Sequence, residues 1–521
     1  MLFFFKLLKG IRKPKYHRSN NPVDSLEPAL FSNELYANLD NLKLMFNLTP
    51  DLIIRNIAMD HAGTSSALVY LSGLVNKSLI NDNILRELIH STPEKQDGVN
   101  VKVSAAEFRM ETEWEKVVQA ILQGDSVLFV DGLSKVYIFD TKGWPQRAIE
   151  DSAVEASLRG AHQGFVETGS QNIALIRRYI PNLQLKIKEY ITGERGRTKI
   201  SILYLADVAN PEILEKLETR IKQIHTEAIL NTGELAEFIE DNPYSPFPQF
   251  LVTERPDTVA SHLLQGRFAV VVDLSPNVLI APATFVSFFQ SIDDYSTRWL
   301  IATFIRGLRF LALIIALFLP AMYIALISFN YEVIPIQFIL SIAETRPRVP
   351  FPPIMEAILM EVTIEMMREA GIRLPAPIGQ TVGIVGGIII GQAAVQAGIV
   401  SNIMVIVVAS TAIASFIIPN YDMGASIRLL RFPIMLLASM FGMVGIICSA
   451  IALVAHFVTL ESLGTPYGSP LAPWRFTDMK DVFTRFPLWA MNRRPTNSRP
   501  VQSDRMDNSS KGKTYEKKYV K

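Results

Sequence analysis

The residues best suited to chemistry are four carboxylates, Glu356, Glu361, Glu365 and Glu369, in the stretch Val349 to Pro375, VPFPPIMEAILMEVTIEMMREAGIRLP. At 100° per residue, Glu361, Glu365 and Glu369 share one face of a helix and Glu356 lies nearly opposite. Long apolar runs surround the stretch. A carboxylate turned to lipid is costly, so this face should meet water, protein or an ion path. Glu356, Glu361, Glu365 and Glu369 are therefore candidate pore or ion-path residues. Val362 and Met366, with Met355 and Leu359, occupy the other side and offer a hydrophobic gate instead. Three readings are open: an interfacial helix whose glutamates are solvated or paired to Arg368 and Arg373, a ring of helices lining a cation path, and a transporter-type coupling site.

Enzyme chemistry finds little support. GxxxxGK[ST], GxGxxG, HExxH and GxSxG are all absent. The 7 histidines stand singly, none at metal-ligand spacing. Cys448 is the single cysteine, so neither an intrachain disulfide nor a cysteine metal cluster can form. The expectation is a non-enzyme with no catalytic residue, metal or cofactor. The net charge of +1 gives no electrostatic ground for nucleic-acid binding.

The 521 residues divide sharply in composition, although mean hydropathy is only +0.23. Residues 1–49 read as a basic leader and a helix. Two stretches then repeat one order. Ser66 to Leu71 reads as a buried strand, Trp114 to Gln123 as a helix stopped by Gly124, and Ser126 to Gly132 and Lys135 to Phe139 as two strands. Ile200 to Leu205, Pro256 to Gln265 with Gly266, Ala269 to Asp273 and Asn277 to Ile280 echo them. Leu122-Gln-Gly124 … Val130-Asp131 matches Leu264-Gln-Gly266 … Val272-Asp273 at one constant offset. These are two related α/β subdomains, 50–145 and 190–286, joined by a linker at 146–189. Asp131 and Asp273 close equivalent strands, which points to a turn-forming role. Glu254, Arg255, Pro256 and Asp257 read as a helix start, with contact to a neighbouring subunit or domain as the alternative.

Residues 287–460 form a polytopic α-helical membrane domain, and 461–521 a cytoplasmic tail with a disordered end. Aromatics with Arg298, Arg306 and Arg309 stand at the entry to an apolar run at 308–329, and Arg306 and Arg309 put its start, with the soluble half, in the cytoplasm. Ile336 to Ile342 is too short to span. The glutamate helix, about 354–370, ends at Gly371. Gly379, Gly383, Gly387 and Gly391 form a ladder that lets another backbone approach closely. Spans follow at 377–400, 402–418 and 433–458. This count leaves Arg428 and Arg431 outside, against the positive-inside tendency. Either protein buries them, or the glutamate helix crosses too.

Several strings together carry a family resemblance: ALIRR (174–178), DNPYSPFPQ (241–249), TERPD (253–257), LIAPATF (279–285), residues 349–375, IGQTVGIVGGIIIGQAAVQAGIVS (378–401), IASFIIPNYDMGASIRLLRFP (413–433) and LAPWRFTDMKD (471–481). The chain resembles the A subunit of the GerA-type spore germinant receptors of endospore-forming bacteria. The resemblance implies nutrient-triggered germination and self-association as a ring, a pentamer, forming a cation channel in the spore inner membrane. It implies a B subunit of amino-acid-transporter type and a C-subunit lipoprotein as partners, with membrane lipid around the helices. The A-like protein of the dipicolinic-acid channel operon shares the same strings, and a non-conducting scaffold or transporter subunit is a further alternative.

Overall fold

A computed structural model describes residues 31–58, 65–90, 108–143, 155, 160, 162–337, 339–340, 349–476 and 478–505. Most of the basic leader, most of the linker before residue 162, part of the short stretch at 336–342 and the end of the tail lie outside the described residues. The chain forms two compact units, residues 1–47 with 51–144, and residues 48–50 with 145–521.

The first unit holds helix α1 (Leu35–Met45), strands β1 (Leu52–Ala58), β2 (Ser65–Leu71) and β3 (Phe108–Glu111), helix α2 (Trp114–Gln123), and strands β4 (Ser126–Val130) and β5 (Val136–Phe139). Its antiparallel sheet has the order β1-β2-β4-β5-β3. Gly124 closes α2 at φ +93°, where Leu74 O lies 2.8 Å from the position of an added Cβ, so only glycine fits.

The second unit repeats this plan. It holds helix α3 (Gly169–Tyr179), β6 (Leu185–Thr192), β7 (Thr198–Leu205), α4 (Pro211–Lys222), α5 (Thr232–Ile239), β8 (Leu251–Thr253), α6 (Pro256–Leu263), β9 (Phe268–Val272) and β10 (Val278–Ala281). Its sheet runs β6-β7-β9-β10-β8, the same order. Residues 146–189, expected as linker, thus contain a whole helix and the start of an edge strand. The repeat explains them, because a helix leads into each sheet. Asp131 Oδ1 accepts from Leu35 N at 2.9 Å, and Asp273 Oδ1 accepts from Gly169 N at 2.9 Å. Each aspartate satisfies a first-turn N–H of a helix far away in sequence. That tertiary cap goes beyond the turn role expected from their place at strand ends. Asn38 and Asn172 make the same double bond, one to the backbone of Ser32 and the other to that of Val166.

Six long helices follow in the second unit: α7 (Trp299–Ser328), α8 (Pro353–Arg373), α9 (Ala376–Gln396), α10 (Asn402–Ile417), α11 (Tyr421–Phe441) and α12 (Met443–Thr459). Trp299–Ser328 and Tyr421–Phe441 are long and apolar enough to cross a membrane. Helix α8 has 21 residues, about 31 Å at 1.5 Å per residue. It runs through Gly371, the expected stop, and ends before Pro375, which disfavours helical backbone in the residue ahead of it. The single span expected at 433–458 is two helices. Gly442 turns the chain between them at φ +60°, and an added Cβ would lie 2.9 Å from Phe329 Cβ.

The helix ends fall at two levels. Near the second sheet, Ser245 Oγ bonds His456 Nε2 at 2.9 Å, bringing the last turn of α12 there. Pro419 and Asn420, between α10 and α11, line a cavity with Arg255 and His262 of the sheet layer. At the far level, Asn330 Oδ1, just past α7, accepts from Met443 N at 3.3 Å, and Tyr323 of α7 bonds Ser401 at 2.9 Å. Glu356, in the first turn of α8, accepts from Ser401 N at 2.9 Å. Successive helices therefore alternate away from the sheet and back. Arg428, in the first half of α11, belongs to the sheet-proximal half, and Arg431 stands at the middle of the helix.

Candidate functional site

Pro353 starts α8 at a position where its missing N–H costs nothing. The carboxylates of this helix are taken up by the chain's own cations and amides. Glu361 pairs with Arg431 of α11, both side chains 4% exposed. Glu365 accepts from Arg368 at 3.0 Å and from Arg428 at 3.1 Å. Glu369 pairs with Arg373 at 2.6 Å on the surface. Glu356 is buried against Ser401. The pairing to Arg368 and Arg373 was legible in the sequence at helical spacing. The partners Arg428 and Arg431 were not, although two arginines inside an apolar helix always demand acids to meet them.

Arg431 also donates from Nε to Ala316 O of α7 at 2.9 Å. Pro320, inside α7, has no N–H to give to the carbonyl four residues earlier, so Ala316 O is left over by the helix. One guanidinium thus joins a proline-freed carbonyl on α7 to a carboxylate on α8. Arg368 reaches Ser415 Oγ on α10 at 3.1 Å and sits over Phe416, 4.8 Å from the ring centre. The polar side of α8 is the point where α7, α10 and α11 are held to it.

The other side is open. Met355, Leu359, Val362 and Met366 are all exposed, from 40% for Val362 to 61% for Met366. Among the ladder glycines only Gly379 meets a close backbone: an added Cβ would lie 2.5 Å from Gly371 O of α8. The Cβ position of Gly383 has nothing within 4 Å, and those of Gly387 and Gly391 meet only side-chain methyls at 3.9 and 3.7 Å.

The Thr253-to-Asp257 corner begins α6, with Pro256 as its first residue. Arg255 is 5% exposed and binds Asp257 through Nε and Nη2 at 3.1 and 2.7 Å. Pro256 is buried and Asp257 half-buried. Phe165 N donates to Glu254 O at 2.8 Å. The corner faces a cavity of about 280 Å³ lined by Arg255, His262, Glu155, Tyr295, Arg309 and Asn420 among others. Burial raises the Glu155 carboxyl to about 7, against the lowering pull of the Thr253 hydroxyl and the Arg255 charge. Burial, and then the Arg267 charge, hold the His262 imidazole well below its usual range, so it is neutral.

Beside this cavity Asp294 accepts from Arg306 and Arg309 at 2.8 Å each, and Asp481 of the tail accepts from Arg306 at 2.6 Å and from the Tyr295 hydroxyl at 2.6 Å. Arg306 and Arg309, expected to mark the cytoplasmic end of the first span, are therefore neutralised inside the protein, and Arg298 is exposed. No group of His, Cys, Asp and Glu that could hold a metal occurs among the described residues.

Comparison with known proteins adds the relatives. A family model described as the Bacillus/Clostridium GerA spore germination protein matches residues 40–497. The uncharacterized membrane protein YfkQ of Bacillus subtilis is 43% identical over 89% of this chain and 91% of its own length. Spore germination protein KA of B. subtilis is 41% identical over 90% of this chain and 87% of its own. Spore germination protein GerLA of Bacillus cereus is 41% identical over 85% and 92%. The crystal structure of the N-terminal domain of the A subunit of the Bacillus megaterium spore germinant receptor GerK3 aligns with 50% of this chain and 98% of its own, at 28% identity and a TM-score of 0.39.

Proposed function

The chain belongs to the GerA spore germination protein family, and on that premise we propose that it is the A-type subunit of a nutrient-responsive germinant receptor that forms, with further copies of itself, a cation path in the spore inner membrane. The observation that supports this reading is the division of α8 into two faces. One face commits its carboxylates to arginines of the same chain. The other leaves Met355, Leu359, Val362 and Met366 uncovered. In a ring of copies, a pentamer on the family resemblance, this apolar stripe lines the path and closes it by dewetting. Glu361 and Glu365 hold the stripe in position, Glu356 ties the start of its helix to Ser401, and Glu369 pairs with Arg373 within the last turns. The uncovered Gly383 and Gly387 then serve contact between copies.

In this reading all six helices cross the bilayer. The arginine-bearing ends, including Arg298, Arg373 and Arg428, lie on the side of the sheets, as the positive-inside tendency requires, and Arg431 is held at mid-helix by Glu361. The soluble region and the tail share the spore core. The membrane domain 287–460 enters the reading unchanged, and the subdomains 50–145 and 190–286 each extend back to the helix that leads into the sheet, to Leu35 and to Gly169. Glu254 and Asp257 flank a corner suited to passing movement between the second sheet and the helices. A B subunit of transporter type and a C-subunit lipoprotein complete the receptor.

The test is ion flux into liposomes carrying the purified chain, with and without those two subunits. Val362→Ser and Met366→Ser should raise basal flux severalfold by wetting the stripe. Glu361→Gln should change flux only in step with stability. Absence of flux in every combination would sink the channel reading. Flux indifferent to Val362→Ser and Met366→Ser would sink the assignment of the stripe.

A further inference from the structure

The tail packs back onto the helices at two points. Near residue 468 an added Cβ on Gly468 would lie 3.0 Å from the ring of Phe457, in the last turn of α12. Tyr467 beside it is fully buried among Phe247, Phe285, Phe288 and Phe457. Further on, Asp481 binds Arg306, Arg485 N donates to Thr303 Oγ1 at 3.1 Å, and the Phe483 ring lies 4.6 Å from that of Phe310. Thr303, Arg306 and Phe310 climb the first turns of α7. Between and just beyond these anchors the tail exposes Trp474 at 57%, Phe476 at 80% and Trp489 at 61%.

We propose that this segment, Tyr467 to Trp489, is a membrane-surface clasp whose exposed aromatics Trp474, Phe476 and Trp489 seat in the headgroup boundary of the bilayer. The inference rests on the reading of α7 and α12 as membrane-crossing. Its occupant follows from continuity. The clasp is fixed at the sheet-proximal ends of two such helices, beside the exposed Leu300, Ile301 and Phe304 of α7. Tryptophan at that level is the preferred side chain, with an apolar body and a polar N–H. Lys480 lies among the aromatics and suits an anionic lipid surface, while Arg475 and Asp478 are both bound to Thr496. The clasp thus ties the second sheet, the foot of α7 and the lipid surface to one strap of chain.

The experiment uses the full chain in nanodiscs of phosphatidylcholine and phosphatidylglycerol with brominated acyl chains. Single-tryptophan variants, made by Trp→Phe elsewhere, retain Trp299, Trp474 or Trp489. Shallow bromines should quench Trp474 and Trp489 at least twofold, alongside Trp299 at the foot of α7. Quenching of Trp299 alone would overturn the clasp and leave the membrane reading standing. No quenching of any of the three would overturn the membrane reading itself. Emission from Trp474 that shifts with protein concentration and ignores bromine would make the surface a contact between copies and equally overturn the clasp. Where a single-tryptophan variant does not fold, W474F/W489F in the otherwise unchanged chain decides the matter: it should lose a matching share of the bromine-dependent quenching, and an unchanged share would overturn the proposal.

Discussion

Arg431 carries three obligations with one guanidinium. It sits in a helix of the bundle, meets Glu361 in a buried pair, and donates to the carbonyl of Ala316 that Pro320 sets free. Buried pairs of this kind add little net stability over apolar residues of similar size, but breaking one partner leaves an uncompensated charge. Arg431→Met should therefore destabilise the chain by about 3–5 kcal/mol. The double variant Glu361→Met with Arg431→Met should recover much of that loss. Thermal unfolding in nanodiscs reads both, and a single variant as stable as the parent would remove Arg431 from the brace. The sequence made the need for a partner legible, since no arginine stands unpaired in an apolar run. It could not choose the acid, because Glu361 and Arg431 are 70 residues apart and Glu365 is an equal candidate by charge.

At the level of elements, the glycine ladder separates into one tight contact and several open positions. Gly379→Ala drives a Cβ to 2.5 Å from Gly371 O, and backbone cannot yield as a side-chain tip can. Overpacking of this kind costs about 1–3 kcal/mol. Gly383→Ala meets nothing and should leave the stability of the single chain unchanged. If Gly383 packs between copies, the same substitution should weaken the oligomer, read by crosslinking or native mass. Equal loss of single-chain stability from both substitutions would sink this division. The GxxxG pattern announced a packing surface without saying which of its steps the chain uses on itself. Period-2 alternation covers only Leu185 to Lys188, too short a run among charges to mark a strand. As an edge strand, β6 turns Leu185 and Ile187 into one core and lays Lys188 and Tyr190 against α4, where Lys188 meets Glu218.

For the whole second unit, the junction of sheet and helices holds carboxyls whose protonation is tied to folding. Burial raises Glu155 to about 7, and burial also raises Glu240 to about 7, aided by Glu237, Asp241 and Asp422. A carboxyl raised in the folded state contributes stability that is whole below about 4.5 and is lost as pH rises through about 7. His262 acts in the opposite sense. Held neutral, it costs stability as pH falls below about 6.5, its usual value. The clean quantity is therefore a difference. Against Glu155→Gln with Glu240→Gln, the parent should lose relative stability between about pH 5 and 8. Hydrogen exchange across residues 251–265 should follow the same curve. Parallel pH curves for the two proteins would refute the coupling.

The sequence by itself determined what depends on neighbours along the chain. The duplicated strand pairs, the helix stops at Gly124 and Gly266, the start of α6 at Pro256 and the run of apolar helices all follow from local backbone preference and from periodicity of burial. Tertiary structure decided what depends on partners far away in sequence. It made Asp131 and Asp273 caps for helices that precede their sheets, turned one expected span into two at Gly442, returned Arg428 to the sheet-proximal half and set Arg431 at mid-helix against Glu361. Above all, it closed the acidic face of α8 with arginines and left the apolar face uncovered. A helix pattern fixes which residues share a face. Only the packed bundle fixes what that face meets, because a buried charge is satisfied by whichever opposite charge the fold brings within reach.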